Sequence, residues 1–177
     1  MAVNTNSNLV ADPNASPTVP NPAGKQYGRV RIAQDAFEVV AADIDADGDT
    51  VRLCTLPANA RITSIKLAND DLDGASNVAF NVGIYETPSG AGAPTIIQDE
   101  DYFASAVTMQ AAARLTEVFD EAAAAANVAD IGKKLYEMAG DTDAVHDATY
   151  DIVLTQTAAA SSAQAGTIAF QIEFIVD

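Results

Sequence analysis

The chain has 177 residues, 25 acidic against 9 basic, a formal charge of −16, and 49% apolar residues with no Trp. This length suits one domain plus an appendage, with enough apolar residues for a real core. The charge excludes a nucleic-acid surface, which needs clustered Lys and Arg against phosphates, and attraction to anionic membranes.

The first 24 residues differ from the rest. They carry one charge, Asp12, with many Asn and with Pro13, Pro17, Pro20 and Pro22 closely spaced. Such a composition buries no core and disfavours helix and sheet. Residues 1–25 are therefore expected to form an extended arm, and 26–177 a single β-sandwich domain. At ~3.3 Å per residue the arm would reach roughly 80 Å, enough to cross a neighbouring subunit. Its partner contacts are expected from Leu9, Val10, Pro13, Pro17, Val19 and Pro20. Met1–Thr5 has no basic start and no apolar signal-like run, and no segment approaches membrane-spanning length. A soluble protein made in a cytoplasm is expected.

Arg29–Ala33 and Ala36–Ala42 read as two strands, with Val30 and Ile32, then Phe37 and Val39, on alternate positions. Asp45-Ala46-Asp47-Gly48 is a turn. Thr50–Leu56 is a strand closed by Pro57, and Arg61–Leu67 another. Turn chemistry follows at Asn69-Asp70-Asp71 and Asp73-Gly74. Asn77–Glu86 alternates strongly through Val78, Phe80, Val82 and Ile84, and a Pro/Gly loop spans 88–94. Residues 95–126 fit two readings. Met109–Arg114 and Glu121–Ala126 favour helix by propensity, whereas Tyr102–Val107 and Leu115–Phe119 pass as strands. A helix is expected over 128–139, capped by Asn127 with Asp130 at N3 and closed by Gly140. Val128, Ile131, Leu135 and Met138 form its apolar stripe. Ala148–Gln156 is a strand through Tyr150, Ile152 and Leu154. Gly166–Val176 is the clearest strand of all. Ile168, Phe170, Ile172, Phe174 and Val176 line one face, Thr167, Gln171 and Glu173 the other. It runs to within one residue of Asp177, so no tail or further domain is expected after it. The fold class is all-β: an antiparallel, jelly-roll-like β-sandwich with one short helix and an extended N-terminal arm.

Asp43, Asp45, Asp47 and Asp49 around Gly48 are the sharpest local motif. Asp at positions one, three and five with Gly at six matches the start of a calcium loop. Cys54 stands where the bidentate Glu belongs, and the flanks read as strands, so an EF-hand is excluded and an acidic hairpin turn is the simpler reading. Asp70, Asp71 and Asp73, and Asp99, Glu100 and Asp101, read as solvated loops. His146 is the only histidine and Cys54 the only cysteine. No intrachain disulfide can form, and zinc sites are poorly supported. Asp143 and Asp147 flank His146, but no nucleophile elbow, P-loop or dinucleotide fingerprint occurs. No cofactor and no catalytic residue is expected, and the chain reads as a non-enzyme.

The order of pieces carries a resemblance. After the arm come Gly48-Asp49-Thr50-Val51-Arg52-Leu53, Leu56-Pro57-Ala58-Asn59-Ala60-Arg61-Ile62, Ile65-Lys66-Leu67 and Val82-Gly83-Ile84-Tyr85. Gly132-Lys133-Lys134-Leu135-Tyr136-Glu137-Met138-Ala139-Gly140 and Tyr150-Asp151-Ile152-Val153-Leu154-Thr155 follow, then an Ala/Ser/Gly linker and the last strand. Over residues 25–177 this resembles small virion structural proteins of tailed bacteriophages, of the head-decoration or capsid-cement kind. The resemblance implies a β-sandwich, a homo-oligomer (trimer or dimer), seated on the major capsid protein at the virion surface and assembled in the host cytoplasm. It carries over no catalytic or cofactor residues, no nucleic-acid contact and no membrane. A calcium-assisted glycan-binding or adhesion sandwich, and a phage neck or tail component, are the alternatives.

Overall fold

The computed structural model describes residues 29–74, 78–87, 95–96, 100–119, 132–142 and 149–176. Among these, strands β1 (Val30–Val39), β2 (Thr50–Pro57), β3 (Ala60–Asn69), β4 (Ala79–Glu86), β5 (Thr95–Ile96), β6 (Ala104–Thr108) and β7 (Ala113–Glu117) precede helix α1 (Leu135–Met138). Strands β8 (Thr149–Ala158) and β9 (Gly166–Val176) follow it. One sheet has the order β1-β9-β3-β7. The other has β2-β8-β4, with β5 and β6 both paired to β4. Every pairing is antiparallel. Successive strands β1 to β4 alternate between sheets, and the last strands return to lie between the first ones. That interleaving is jelly-roll connectivity.

The last strand sets the register. Ile168 and Ile172 are fully buried, with Phe170 and Phe174 close behind and Val176 half-buried. Val78, Phe80, Val82, Ile84, Ile152 and Leu154 face them from the other sheet, each fully buried. Period-two alternation in β4, β8 and β9 thus packs two inner faces into one core.

Three expectations change. The two strands expected at 29–33 and 36–42 are one uninterrupted strand ending at Val39, because all ten residues of β1 pair with β9, from Val30↔Ile175 to Val39↔Gly166, while Ala41–Asp43 is a 3-10 turn rather than strand. One strand has one parity. Phe37 and Val39 point inward, so Val30 and Ile32 point outward, at 57% and 53% exposure. Residues 104–108 and 113–117 are strands, so the helical reading of Met109–Arg114 is wrong; Glu121–Ala126 lies outside the described residues. The helix is shorter than expected. Lys134 is extended (φ −79°, ψ 154°) and only Leu135–Met138 is helical. The Glu137 carboxylate accepts the Lys134 amide at 2.7 Å, marking the start there. Gly132 lies in a turn, its carbonyl taken by the Arg61 guanidinium. Asn127, Val128, Asp130 and Ile131 lie outside the described residues. The stop is as expected: Gly140 has φ +83°, and the Asp141 amide donates to Tyr136 O at 2.9 Å.

Candidate functional site

The strand register sorts the loops to two ends of the sandwich. β1 and β3 finish, and β9 begins, at the same end. The loops that follow place Asp43, Asp45, Asp47, Asp49, Asp70, Asp71 and Asp73 there. At the opposite end lie Arg29 and Arg31 at the start of β1, Arg61 at the start of β3, and Lys133 and Lys134 before α1.

The four carboxylates of the calcium-like turn do not converge. Asp43 Oδ2 accepts the Val40 amide and Asp49 Oδ2 the Ala46 amide, both at 3.0 Å. Gly48 takes the positive φ of +88° that the tight turn requires. Among the described residues no three His, Cys, Asp or Glu side chains gather as metal ligands would. The turn is anchored from behind by Gln156, which is 2% exposed. Its backbone pairs with Gly48 and Asp49, and its side-chain amide donates to Ile44 O at 2.9 Å.

The second acidic loop is likewise a set of backbone ties. Asp73, 2% exposed, accepts the amides of Ser161 and Ser162 at 3.3 and 2.9 Å. Asp70 accepts Thr167 N at 3.0 Å. Asn69 donates to the carbonyls of Asp70, Met109 and Ala111. In the third acidic stretch Asp99 lies outside the described residues, while Glu100 accepts from the Asn81 amide at 3.2 Å.

A buried charge went unnoticed in the sequence. Asp151, fully buried on β8, accepts from Thr55 at 2.6 Å and Thr87 at 3.1 Å, and pairs with Arg52 Nε at 2.7 Å. Tyr85 and Thr155 share a hydroxyl hydrogen bond on the same face. Cys54 sits beside this cluster. Burial, then the Asp151 carboxylate, pushes its thiol up to about 12. Burial, then the hydrogen bond to Asp141, also raises Tyr150. A protonated thiol is no nucleophile at neutral pH. His146, Asp143 and Asp147 lie outside the described residues, as do the arm positions Leu9, Val10, Pro13, Pro17, Val19 and Pro20. Asp151 carried no local signal, because its partners come from two other segments, β2 and the end of β4.

No family model matches the chain, and no curated protein matches it in sequence. Two solved structures share its fold. One is a chain of the cyanophage Pam1 capsid asymmetric unit, with TM-score 0.52 and 14% identity, covering 93% of this chain and 97% of that one. The other belongs to the capsid of Ralstonia phage GP4, with TM-score 0.56 and 21% identity, covering 90% and 91%. At these identities the likeness establishes the fold: an antiparallel β-sandwich shared with chains of two phage capsids.

Proposed function

We propose that this chain is a non-enzymatic structural protein of a tailed-phage head, which decorates or cements the capsid by bridging major capsid protein subunits. The observation that carries this reading is the coverage in both directions. Nine-tenths or more of this chain overlays nine-tenths or more of a chain in each of two phage capsids. A domain merely inserted in a larger architecture would match only part of its counterpart. The protonated Cys54 thiol and the acidic loops spent on backbone amides suit a structural role.

A shell pressed outward by packaged DNA gains from proteins that bridge its subunit junctions. The arm serves as the clasp, through residues such as Leu9, Val10 and Val19. It loses chain entropy on binding but covers a large surface, and repetition over the lattice multiplies modest contacts. Its place is the virion surface, reached by assembly in the host cytoplasm.

Capsids lacking the protein, mixed with the full chain and with a variant deleted for residues 1–24, test this. The full chain should saturate the capsids at a fixed ratio to the major capsid protein. The truncated chain should stay folded, since the buried residues of the described core lie between Val39 and Phe174, yet bind much more weakly. With a single charge in the arm, attachment should survive moderate salt. Equal binding by both forms would move the attachment to the body. No binding by either would refute the capsid reading.

A further inference from the structure

In the β1-β9-β3-β7 sheet the core stops at β3. Leu67 and Asn69 are buried, yet Thr116 and Ala113, their partners on β7, are exposed. Eight consecutive residues, 110–117, are exposed, so both faces of β7 meet solvent. The other edge strand, β1, is also largely exposed, but all ten of its residues pair with β9. β7 meets β3 only at Lys66↔Glu117, Leu67↔Thr116 and Asn69↔Ala113, with an irregularity between the last two. Side-chain burial therefore contributes little to holding β7, and its hold is local.

Both ends of this exposed stretch are anchored. Before it, Met109 is fully buried and its amide donates to Val78 O at 3.1 Å. After it, the Phe119 ring packs edge-on against fully buried Phe103, with centroids 5.3 Å apart. Between the anchors, the contacts that close the stretch onto β3 are few. The Asn69 side-chain amide donates to Ala111 O at 2.9 Å, and the Val118 amide donates to Ile65 O at 2.8 Å. Glu117 adds the rest. Its carboxylate accepts the Ser64 hydroxyl, the Ile65 amide at 2.9 Å and the Phe119 amide at 3.2 Å. Charge-assisted hydrogen bonds of this kind are stronger than neutral ones, and one side chain makes three.

We propose that residues 110–117 form a strap along β3, which opens between its two anchors while the sandwich stays folded, and that Glu117 is the positioning residue that keeps it shut. Opening exposes little new apolar surface, because no residue of the stretch is buried. Segments of this kind open at a free energy well below that of global unfolding. The open strap bares backbone groups of β3 between Lys66 and Asn69 that are paired when it is shut. The proposal does not rest on the capsid reading, and its test uses the free protein.

Hydrogen exchange of the full chain, read residue by residue, tests this. In the wild type the Val118 amide should exchange on the order of a hundredfold faster than those of Phe170 and Ile172 in β9, yet more slowly than in the unfolded chain. Its rate should be insensitive to low denaturant, because a local opening exposes little surface. Glu117→Ala should speed the Val118 amide by on the order of tenfold and leave β9 unchanged. Glu117→Gln, which keeps one acceptor oxygen, should recover part of that loss. Trypsin should cut after Arg114 faster in Glu117→Ala than in the wild type, with no change after Arg52 in β2. A Val118 amide as slow as those of β9 overturns the proposal. So does one with no protection at all, since the strap is then never shut. If Glu117→Ala leaves Val118 unchanged, or speeds β9 equally, Glu117 does not keep a strap shut and its assignment is wrong.

Discussion

Asp43, Asp49, Asp70 and Asp73 each accept a backbone amide, so the acidic loops hold their shape through their own carboxylates. A carboxylate accepting backbone N–H groups makes a strong, charge-assisted hydrogen bond. The same economy of partners fixes Asp151 among Thr55, Thr87 and Arg52. Cys54 is altered first by its own burial and then by that carboxylate. Its thiol moves from 9.0 to about 12, which lowers the thiolate fraction at neutral pH by about a thousandfold. Native protein should therefore react with a thiol reagent far more slowly than unfolded protein, and labelling at the free-cysteine rate would contradict this environment. The linkage has a definite sign. Below pH 9 the thiol is neutral in both states. Between 9 and 12 the unfolded chain loses its proton first, so stability falls as pH rises through that window. Cys54→Ala should flatten that part of the profile.

At the scale of elements, Phe170 tests the register of β9. It is 5% exposed and opposes Leu67 on β3 and Asp35 on β1. Phe170→Ala should cost about 3–5 kcal/mol in denaturant unfolding, as expected for an aromatic removed from a packed core. A loss under about 1 kcal/mol would place the ring outside the core. A strand such as β9 was legible in the sequence because one face is buried along its whole length, which writes period two into the residues. β1 was misread as two strands because it lies at an edge. There burial no longer enforces parity, and outward Val30 and Ile32 mimic an inward pair. Arg31 and Asp35, on the inward parity of β1, are both exposed. Charges so placed discourage another strand from adding to the edge. The helix was read too long because Gly132, which weakens a helix, turns the chain instead, its carbonyl held by Arg61 from 71 residues away. Its Gly140 stop was legible because it is local. The ties of Asp73 to Ser161 and Ser162, Asn69 to Met109 and Ala111, Gln156 to Ile44, and Asp151 to Thr55 and Thr87 were not, since those partners lie far away along the chain.

Among the described residues charge is unevenly placed, with seven aspartates in two loops at one end and five bases, alongside Glu86, Glu137 and Asp141, at the other. Salt acts on this in two opposed ways. It weakens attraction in exposed pairs such as Lys66–Glu173, whose side chains are 32% and 31% exposed, and such pairs are worth about 0–1 kcal/mol. It also screens repulsion among the aspartates. Those within a single turn lie inside the Debye length of about 10 Å at 0.1 M, so screening relieves them only as ionic strength rises to that level and beyond. With a net charge of −16, repulsion is the larger account. Sodium chloride added from low to moderate concentration should therefore raise the melting temperature. Asp45→Asn combined with Asp47→Asn should raise it at low salt and shrink the salt response, because neither carboxylate is among those tied to a backbone amide. A melting temperature that falls with salt would mean that attractive pairs dominate the body. The acidic end would then be held by its charges rather than strained by them.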